Sequence, residues 1–291
     1  MKKILTSIGL ALTLVACSSS NPAIISHTTK TYTGRNFGKY NVDSETYVSK
    51  AQNERIQFII LHYTAGNNEA SIKELTSGRV SSHFLVLDND DNTVYNLVPV
   101  DKRAWHAGSS SFGGRTNIND TSIGIEIVND GIDKKYRNYP TYHPYDHYVE
   151  FNEKQIEKVA EIIKNTAREY NIPAKNILAH SDIAPGRKQD PGAKFPWKLL
   201  YDKYQIGAWY DETDKAQFMD EKVFNSLSIK DIKNELKKYG YSINSNDEWD
   251  KEGKDVVYAF QLHFNPKNAS GVMDLETYAI LKALNKNILI R

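Results

Sequence analysis

The chain has 291 residues, of which 40% are hydrophobic and 25% charged, and its formal net charge at pH 7 is +1. This composition is ordinary for a globular protein and the length exceeds one typical domain, so we predict a soluble protein of two domains. Because basic and acidic residues balance, no overall positive field attracts polyanions, which argues against a nucleic-acid partner.

The first residues are typical of an export signal. Lys2 and Lys3 precede an apolar stretch at residues 4–15, which is too short to span a bilayer. The sequence Leu-Val-Ala before Cys17 resembles the site at which bacterial lipoproteins are cleaved and lipidated on cysteine. We therefore predict a signal peptide over residues 1–16 and attachment to a membrane through lipidated Cys17. The alternative is an ordinary secretory peptide that leaves this cysteine as a free thiol.

Residues 17–46 are rich in Ser, Thr and Asn and lack hydrophobic periodicity, which favours a flexible tether. Loss of the leader removes Lys2 and Lys3 and leaves 35 basic against 36 acidic residues, so the mature chain also lacks a strong net charge. A tether of this kind lets a lipid-anchored domain reach a nearby polymer.

Strand and helix patterns alternate from residue 47 to residue 207. The apolar run at residues 58–61 is typical of a strand buried on both faces, and residues 69–76 predict a short helix. Other patterns predict a hairpin over residues 84–87 and 93–98, a strand over residues 122–128, and a helix that begins with a capping box at Asn152 and Gln155 and carries the apolar stripe Ile156, Val159, Ala160, Ile163, Ala167 and Tyr170. These elements predict an α/β domain over residues 47–207, with a mixed central sheet flanked by helices.

Histidines stand where two of the strand-like runs end. His62 follows residues 58–61, and His180 follows residues 177–179. Prolines and glycines interrupt the segment after His180, so Lys188 and Asp190 are expected on a loop. Two histidines and one carboxylate are the ligand set of a catalytic zinc ion, which keeps a fourth position open for water. Each histidine taken alone is more often a hydrogen-bonded interior residue.

Glu126 lies in the predicted strand at residues 122–128. It shares a face with Gly124, and the isoleucines between them point to the other face. Gly124 is expected to leave open space beside Glu126, which suits the floor of a cleft. Without further context, a solvated glutamate on an exposed sheet face is the more ordinary interpretation.

Tyrosines recur at every third residue between residues 131 and 151. A period of three drifts around an α-helix, and Pro140 and Pro144 would interrupt one, so we do not expect a continuous helix. His143 and His147 are therefore poor candidates for a second metal pair. We predict an irregular tyrosine-rich segment, residues 131–151, that flanks the cleft.

The chain changes character after residue 207. Residues 211–220 are charged and predict a linker, and apolar residues then recur at helical spacing. Stripes at residues 229–239, 256–264 and 275–284 predict three helices, with Gly240 at the end of the first. We expect a small three-helix domain over residues 215–291.

Five blocks stand in order along the sequence: LHYTAG at residues 61–66, SSHFLV at 81–86, WHAG at 105–108, NDTSIGIEIVN at 119–129 and AHSDIAPGRKQDPG at 179–192. Together they resemble the zinc N-acetylmuramoyl-L-alanine amidases of the type 2 family. The resemblance implies the fold shared with peptidoglycan recognition proteins. It also implies hydrolysis of the amide bond between N-acetylmuramic acid and L-alanine in peptidoglycan or muropeptides, for cell-wall turnover or recycling.

The same resemblance implies roles for single residues. One zinc ion (Zn2+) is expected on His62, His180 and Asp190. Glu126 matches the catalytic glutamate that accepts and relays the proton, and Lys188 is expected near the developing oxyanion, although a solvated surface lysine is its ordinary interpretation.

Substrate contacts are expected from two further segments. Trp105 and His106 match a block that lines the cleft in the family, where they would offer a stacking surface or orient the metal ligands. Arg115 and Asn117 precede another block, and we expect them to receive carboxylates of the stem peptide.

The C-terminal region resembles the peptidoglycan-binding type 1 module through its Val-x-x-Phe-Gln spacing at residues 257–261, followed by Gly271 and Thr277. Binding of peptidoglycan is implied by this resemblance alone, because core packing explains nearly all the apolar positions. Ser18 after the lipidated cysteine favours the outer membrane of a Gram-negative cell, with the enzyme facing the periplasm.

Two other functions remain open at this point. The same fold occurs in receptors that bind muropeptides without cutting them, and in that class the position of Asp190 would have lost its ligand. A zinc peptidase or deacetylase would share the metal chemistry but release different fragments.

Overall fold

A computed structural model describes residues 36–288. The described residues fall into two units, one that ends at Ala51 and one that begins at Gln52. In the first unit, strands β1 (Asn36–Phe37) and β2 (Tyr40–Asn41) pair antiparallel around Gly38, whose φ of 68° suits a turn. This hairpin lies within the expected tether, residues 17–46, and the bounds of the tether stay a prediction. The expected signal peptide, Cys17 and the rest of residues 1–35 lie outside the described residues.

The second unit alternates strands and helices in its first part and is helical in its last. Its strands are β3 (Phe58–Tyr63), β4 (Phe84–Val86), β5 (Tyr95–Asn96), β6 (Ser111–Phe112), β7 (Arg115–Thr116), β8 (Ser122–Ile127) and β9 (Ile177–Ala179). Its α-helices are α1 (Asn68–Thr76), α2 (Glu153–Glu169), α3 (His180–Ile183), α4 (Trp197–Tyr204), α5 (Glu212–Gln217), α6 (Glu221–Ser226), α7 (Ile229–Tyr239), α8 (Lys251–Phe264) and α9 (Leu275–Ile288). The elements expected before residue 180 are confirmed with small shifts of their ends.

Five strands form the central sheet in the order β5–β4–β8–β3–β9. β3 runs parallel to β8 and β9, β8 runs parallel to β4, and β5 is antiparallel to β4. The expected α/β fold with a mixed sheet is confirmed. Residues 58–61 of β3 are at most 3% exposed, as the uninterrupted apolar run predicts for a strand with neighbours on both sides.

Helix α2 begins as the sequence predicts. The Asn152 side chain accepts a hydrogen bond from the Gln155 backbone N–H at 2.7 Å, and Gln155 Oε1 accepts one from the Asn152 backbone N–H at 3.2 Å. This capping box satisfies two amides that the first turn leaves free. The apolar stripe of α2 joins the same hydrophobic cluster as β3 and β8, so the helix packs on the sheet.

The tyrosine-rich segment contains no continuous helix, as expected. It has only short 3-10 turns at Lys134–Tyr136 and Tyr145–His147. Tyr142, in the middle of this segment, packs on α8. Its hydroxyl donates to Asp255 Oδ1 at 2.7 Å, and its ring stacks on that of Tyr258 with the ring centroids 4.4 Å apart. The segment is therefore fixed by the C-terminal helices.

The three helices expected in the C-terminal region are confirmed as α7, α8 and α9. The expected linker at residues 211–220 is wrong, because it contains helix α5, capped by the Asp211 carboxylate. Lys286 of α9 pairs with Asp214 of α5, so charge in this stretch makes specific contacts. None of the helices within residues 36–288 has the length and apolar character required to cross a bilayer.

The C-terminal helices share a hydrophobic core with the sheet region. Phe112 of β6 is 1% exposed and contacts Tyr239 and Tyr241 edge to face, with ring centroids 6.3 and 5.5 Å away. Gly240 permits this approach, since a Cβ at that position would lie 2.5 Å from the Phe112 ring. One cluster of buried side chains includes residues of β3, β8, α7 and α8. The two regions are therefore packed together as one compact unit.

A chain that ends at residue 207 is expected to be strongly destabilised. It would expose the large buried side chains that face α7 and α8, at a cost of about 1.5–3 kcal/mol each, against a total stability of roughly 5–15 kcal/mol. Urea unfolding followed by circular dichroism measures the effect. Deletion of residues 1–51, which belong to the other unit, is the control and should keep the wild-type midpoint. A wild-type midpoint for the chain that ends at 207 would contradict the shared core.

Candidate active site

Three neighbouring strands bring the chemistry-bearing residues to one edge of the sheet. His62 of β3 pairs in register with Glu126 of β8, and Leu61 pairs with Ala179, the residue before His180. Residues in register on parallel strands point to the same face, so His62 and Glu126 lie side by side. Asp190 comes from the loop after α3, and its carbonyl accepts a hydrogen bond from the Ser181 amide at 3.0 Å.

His62, His180 and Asp190 converge on one point. The two Nδ1 atoms of the histidines lie 2.8 Å apart, and each is 2.9 Å from Asp190 Oδ2. All three residues are buried, with at most 5% exposed. Within residues 36–288 this is the group of histidine and carboxylate side chains placed to hold a metal ion.

Hydrogen bonds at the far side of each ring fix the tautomers. His180 Nε2 lies 3.1 Å from the carbonyl of Ala107, and His62 Nε2 lies 3.0 Å from His106 Nδ1. His106 Nε2 in turn faces the Ser122 hydroxyl at 3.2 Å, and that hydroxyl donates to the Ile118 carbonyl at 2.7 Å. With a proton on Nε2 of each histidine, these bonds are satisfied and both Nδ1 lone pairs point at Asp190.

The electrostatics of the cluster suit metal ligands. Burial lowers the pKa of His62 to about 4, a positive charge on neighbouring His180 would act in the same direction, and the negative charge of Asp190 offsets only part of this. Burial by itself would raise the pKa of Asp190, but His180 and His62 hold it well below its ordinary value. At neutral pH His62 is therefore neutral and Asp190 ionised, the protonation states that metal binding requires.

The donor set fits a zinc ion. With Nε2 protonated on both histidines, three acceptor atoms face one another at 2.8–2.9 Å with no hydrogen between them. Such an arrangement is repulsive by itself and favourable around a cation. Two imidazole nitrogens and one carboxylate oxygen, with a further position open, match the catalytic sites of zinc.

Glu126 faces the same cavity, which has a volume of about 580 Å³. Burial raises its pKa well above the ordinary value, and the negative charge of Asp190 adds to the effect, while Lys188 opposes it. Glu126 Oε2 is buried and has no hydrogen-bond partner among residues 36–288. The carboxyl group is therefore free to exchange a proton with a molecule in the cavity. The alternative of a solvated glutamate on an open sheet face is wrong.

The cavity wall contains other residues that the sequence indicates. Lys188 is exposed at the wall, and Trp105 lines it with 54% of the residue exposed. Both positions allow contact with a bound molecule, and their roles stay predictions. A second cavity, of about 460 Å³, also contains Lys188 and is lined by Tyr142 and His143 of the tyrosine-rich segment. That segment flanks the cleft as expected.

His106 is bonded to a metal ligand at the wall of the cavity. It lines the cavity but is only 8% exposed, and it bonds to His62 Nε2; orientation of the metal ligand fits this placement, and a direct contact with substrate stays a prediction. Asn119 supports this arrangement by accepting hydrogen bonds from the amides of His106 and Ala107 at 3.1 and 2.8 Å. No separate signal in the sequence marks Asn119 beyond its place in one of the five blocks.

Gly124 does not leave the open space that was expected. A Cβ built on Gly124 would lie 2.5 Å from the ring of His106, so the absent side chain is what allows His106 to reach His62. The Gly124 amide also donates to His83 Nδ1 at 3.0 Å, which gives buried His83 a structural contact. The sequence shows that residue 124 is small, but it does not show that the His106 ring occupies the space beside it.

Substitution of Gly124 by alanine is therefore expected to weaken zinc binding. The new methyl group must displace His106, at a cost of about 1–3 kcal/mol in stability. Loss of the bond to His62 Nε2 should raise the zinc dissociation constant roughly tenfold. Competition with a chromophoric chelator measures the constant. Gly66→Ala is the control, since its Cβ would meet Ala70 at an ordinary 3.6 Å; equal zinc affinity of the two variants would contradict the role of Gly124.

Arg115 and Asn117 are not brought to this cavity. Both are exposed, and neither lines the space around His62. Asn117 has a left-handed φ of 53° and lines a separate groove that it shares with Arg187. Their expected contact with stem-peptide carboxylates stays a prediction. Arg187, to which the sequence assigned no role, donates to the carbonyls of Ala107 and Ser109 at 2.6 and 2.8 Å.

Comparison with known proteins agrees with this site. Residues 52–193 match the family model of N-acetylmuramoyl-L-alanine amidase, and residues 225–281 match that of a putative peptidoglycan binding domain. The chain is 35% identical over 254 residues to N-acetylmuramoyl-L-alanine amidase AmiD of Escherichia coli (strain K12), covering 84% of this chain and 87% of that protein. It is 38% identical over 124 residues to 1,6-anhydro-N-acetylmuramyl-L-alanine amidase AmpD of the same strain, covering 43% and 58%.

Solved structures show similarity over most of the chain. AmpDh3 from Pseudomonas aeruginosa superposes with a TM-score of 0.76 at 37% identity, covering 85% of this chain and 98% of that one. AmiD from E. coli superposes with a TM-score of 0.75 at 34% identity, covering 86% and 95%. With this similarity over most of both chains and an intact His62, His180 and Asp190 cluster beside Glu126, the chain belongs to the type 2 N-acetylmuramoyl-L-alanine amidase family, whose members are zinc-dependent.

Proposed function

We propose that this protein hydrolyses the amide bond between N-acetylmuramic acid and the L-alanine of peptidoglycan stem peptides, with one zinc ion held by His62, His180 and Asp190. The observation that carries the proposal is the buried three-ligand cluster with Glu126 in the same cavity. The chemistry that zinc supplies in such a site is activation of water near neutral pH and polarisation of the carbonyl group.

The side chains of the cavity supply the remaining steps. The Glu126 carboxylate faces the cavity, accepts a proton from the attacking water and holds it until the amine leaves. It then gives the proton to the nitrogen of L-alanine, which makes the amine a good leaving group. The Lys188 ammonium, at the cavity wall, is placed to stabilise negative charge on the carbonyl oxygen.

We propose anhydromuropeptides as substrates of the site. AmpDh3 was solved in complex with anhydromuramic pentapeptide, and AmiD with the substrate anhydro-N-acetylmuramic acid-L-Ala-D-gamma-Glu-L-Lys. The two proteins cover 85% and 86% of this chain, at 37% and 34% identity. The match of residues 225–281 to a putative peptidoglycan binding domain supports polymeric peptidoglycan as a further ligand.

The test uses protein that starts at Ser18, incubated with sacculi and with anhydromuropeptides, followed by mass spectrometry of the products. Free stem peptides that begin with L-alanine are expected, and a chelator should stop their release. Binding without any new fragment would favour a peptidoglycan receptor, against which the presence of Asp190 argues. Cleavage at a different bond would favour a zinc peptidase or deacetylase.

We also propose that the mature chain is a lipoprotein attached through Cys17 to the outer membrane and facing the periplasm. The support is the apolar leader, the Leu-Val-Ala-Cys junction and Ser18 after it. Labelling of cells with a fatty-acid analogue should mark the wild-type protein and leave Cys17→Ser unmarked. Separation of inner and outer membranes should then place the labelled protein in the outer fraction; recovery in the soluble fraction would overturn the proposal.

A further inference from the structure

We propose that Asp182, held by Tyr241 and His263 of the C-terminal helices, positions the metal ligand His180, so that the C-terminal region sets the affinity of the site for zinc. This inference rests on the proposed zinc site and deepens it. It gives the region matched to a peptidoglycan-binding module a second role, as part of the metal centre.

Asp182 lies two residues after His180, in the single turn of α3. Its side chain is fully buried, and its Oδ2 accepts a hydrogen bond from the Ala179 amide at 2.8 Å. The carboxylate therefore ties the residue before His180 to the residue two positions after it. This closes the turn around His180 and fixes the direction in which the imidazole leaves the backbone.

The C-terminal region supplies the side-chain donors to this carboxylate. The Tyr241 hydroxyl donates to Oδ1 at 2.5 Å, and His263 Nδ1 lies 2.7 Å from Oδ2. Tyr241 follows α7 and His263 belongs to α8, and they are 2% and 1% exposed. A buried carboxylate is costly unless its oxygens are hydrogen-bonded, so Asp182 needs both donors to stay where it is.

Aromatic packing holds the two donors in place. The His263 ring stacks on Trp197 of α4 with centroids 3.8 Å apart, and Tyr241 packs edge-on against Phe112 of β6 at 5.5 Å. Both neighbours belong to the sheet region of the second unit. Tyr241 and His263 therefore lie between the sheet region and the C-terminal helices, and the position of Asp182 depends on how these two regions pack.

A second contact links the same helix to the loop between the metal ligands. Gly186 lies between His180 and Asp190, and a Cβ at Gly186 would come within 2.2 Å of Asp255 Oδ2 on α8. The loop that carries Asp190 is therefore seated directly on the C-terminal region, as the turn that carries His180 is. Both ligands after β9 depend on α8 for their placement, whereas His62 is held by the sheet.

Displacement of His180 changes the distances between the metal-ligand atoms. The His180 Nδ1 atom sits 2.8 Å from His62 Nδ1 and 2.9 Å from Asp190 Oδ2, and a ligand cluster of this kind tolerates displacements of roughly 0.5 Å. Loss of one donor leaves an oxygen of Asp182 buried without its partner. The turn then relaxes, and His180 moves relative to the other ligands while its own side chain is unchanged.

The experiment compares Tyr241→Phe with Tyr239→Phe in the full chain from Ser18. Tyr239 lies in the same core and is 1% exposed, but its hydroxyl has no hydrogen-bond partner among residues 36–288, so its loss removes an oxygen without touching Asp182. The zinc dissociation constant is measured by competition with a chromophoric chelator. The temperature is chosen so that circular dichroism shows every zinc-free variant to be folded. The measured zinc dissociation constant then contains no contribution from unfolding.

We expect Tyr241→Phe to raise the zinc dissociation constant about tenfold over Tyr239→Phe, the size found when outer partners of metal ligands are lost. Excess zinc should restore turnover of anhydromuropeptide with an unchanged KM, because no substrate contact is altered. His263→Leu should behave like Tyr241→Phe, and His263→Asn, whose amide can donate from the place of Nδ1, should recover most of the affinity.

If the zinc dissociation constants of Tyr241→Phe and Tyr239→Phe agree within twofold, Asp182 does not position His180 in the way we propose. This comparison is sufficient even if His263→Leu fails to fold. Failure of the proposed function has a different signature. In that case the wild-type protein itself binds no zinc, or binds it without release of stem peptide. A wild-type protein that binds zinc and cleaves, with no difference between the two tyrosine variants, would leave the amidase assignment in place and remove only the inference about Asp182.

Discussion

Asp190→Ala is expected to abolish zinc binding and amide hydrolysis together. The carboxylate is the only anionic ligand of the cluster, 2.9 Å from both Nδ1 atoms, and without it two neutral imidazoles remain. Zinc supplies several kcal/mol of transition-state stabilisation in such sites, so turnover should fall by about 10³-fold or more. Metal content after dialysis and release of stem peptide measure the two effects on the same preparation.

Glu74→Ala is the matched control for Asp190→Ala. Glu74 is a carboxylate that lines the same cavity, but it pairs with Arg79 away from the cluster. It should retain one zinc ion and near wild-type turnover. Retention of stoichiometric zinc by Asp190→Ala would show that the ion is held elsewhere.

Glu126→Gln is expected to retain zinc and lose turnover. The amide keeps the shape of the side chain but cannot accept the proton of the attacking water, and general-base groups of this kind contribute roughly 10²–10⁴-fold. Glu126 makes no contact with the ligand atoms that requires its charge, so the zinc dissociation constant should change little. Single-turnover cleavage of an anhydromuropeptide separates this chemical defect from a change in binding; cleavage at the wild-type rate would sink the assignment.

The same substitution should change the pH dependence of stability. Burial, followed by the charge of Asp190, raises the pKa of Glu126 in the folded protein, so the folded state keeps a proton that the unfolded chain has lost. Stability is then complete below the ordinary carboxyl pKa and declines as pH rises through the interval up to the raised value. Glu126→Gln removes this decline. Urea unfolding of the zinc-free proteins at pH 5 and pH 8 should show wild type losing stability relative to the variant; parallel losses would contradict the raised pKa.

The two histidine ligands can be predicted from the sequence because each one stands at the end of a local strand pattern. His62 and His180 each come directly after a buried apolar run, and parallel strands end at the same edge of a sheet. The sequence does not show that these two runs are neighbouring strands; the sheet does. Asp190 lies on a loop rich in proline and glycine, and no periodic pattern predicts where such a loop places a side chain.

His106 and Gly124 show where local patterns mislead. Alternation correctly put Gly124 on the face of Glu126, but the space above a glycine belongs to whichever side chain packs there. That side chain is His106, which comes from a segment that is not a strand. His106 is largely buried there and bonds to His62 Nε2. The contact between Gly124 and His106 depends on packing between residues 18 positions apart, which a periodic pattern does not predict.

Local sequence was sufficient for helices α1, α2, α7, α8 and α9, the central strands, the capping box and the ends of β3 and β9, because hydrogen bonds and side-chain faces within an element repeat at fixed spacing. It did not reveal that the C-terminal helices are built into the metal centre. The contacts from Tyr241 and His263 to Asp182 join residues 59 and 81 positions apart. Buried polar groups find partners wherever the folded chain places a donor, so only the tertiary structure decided which residues hold the turn that carries His180.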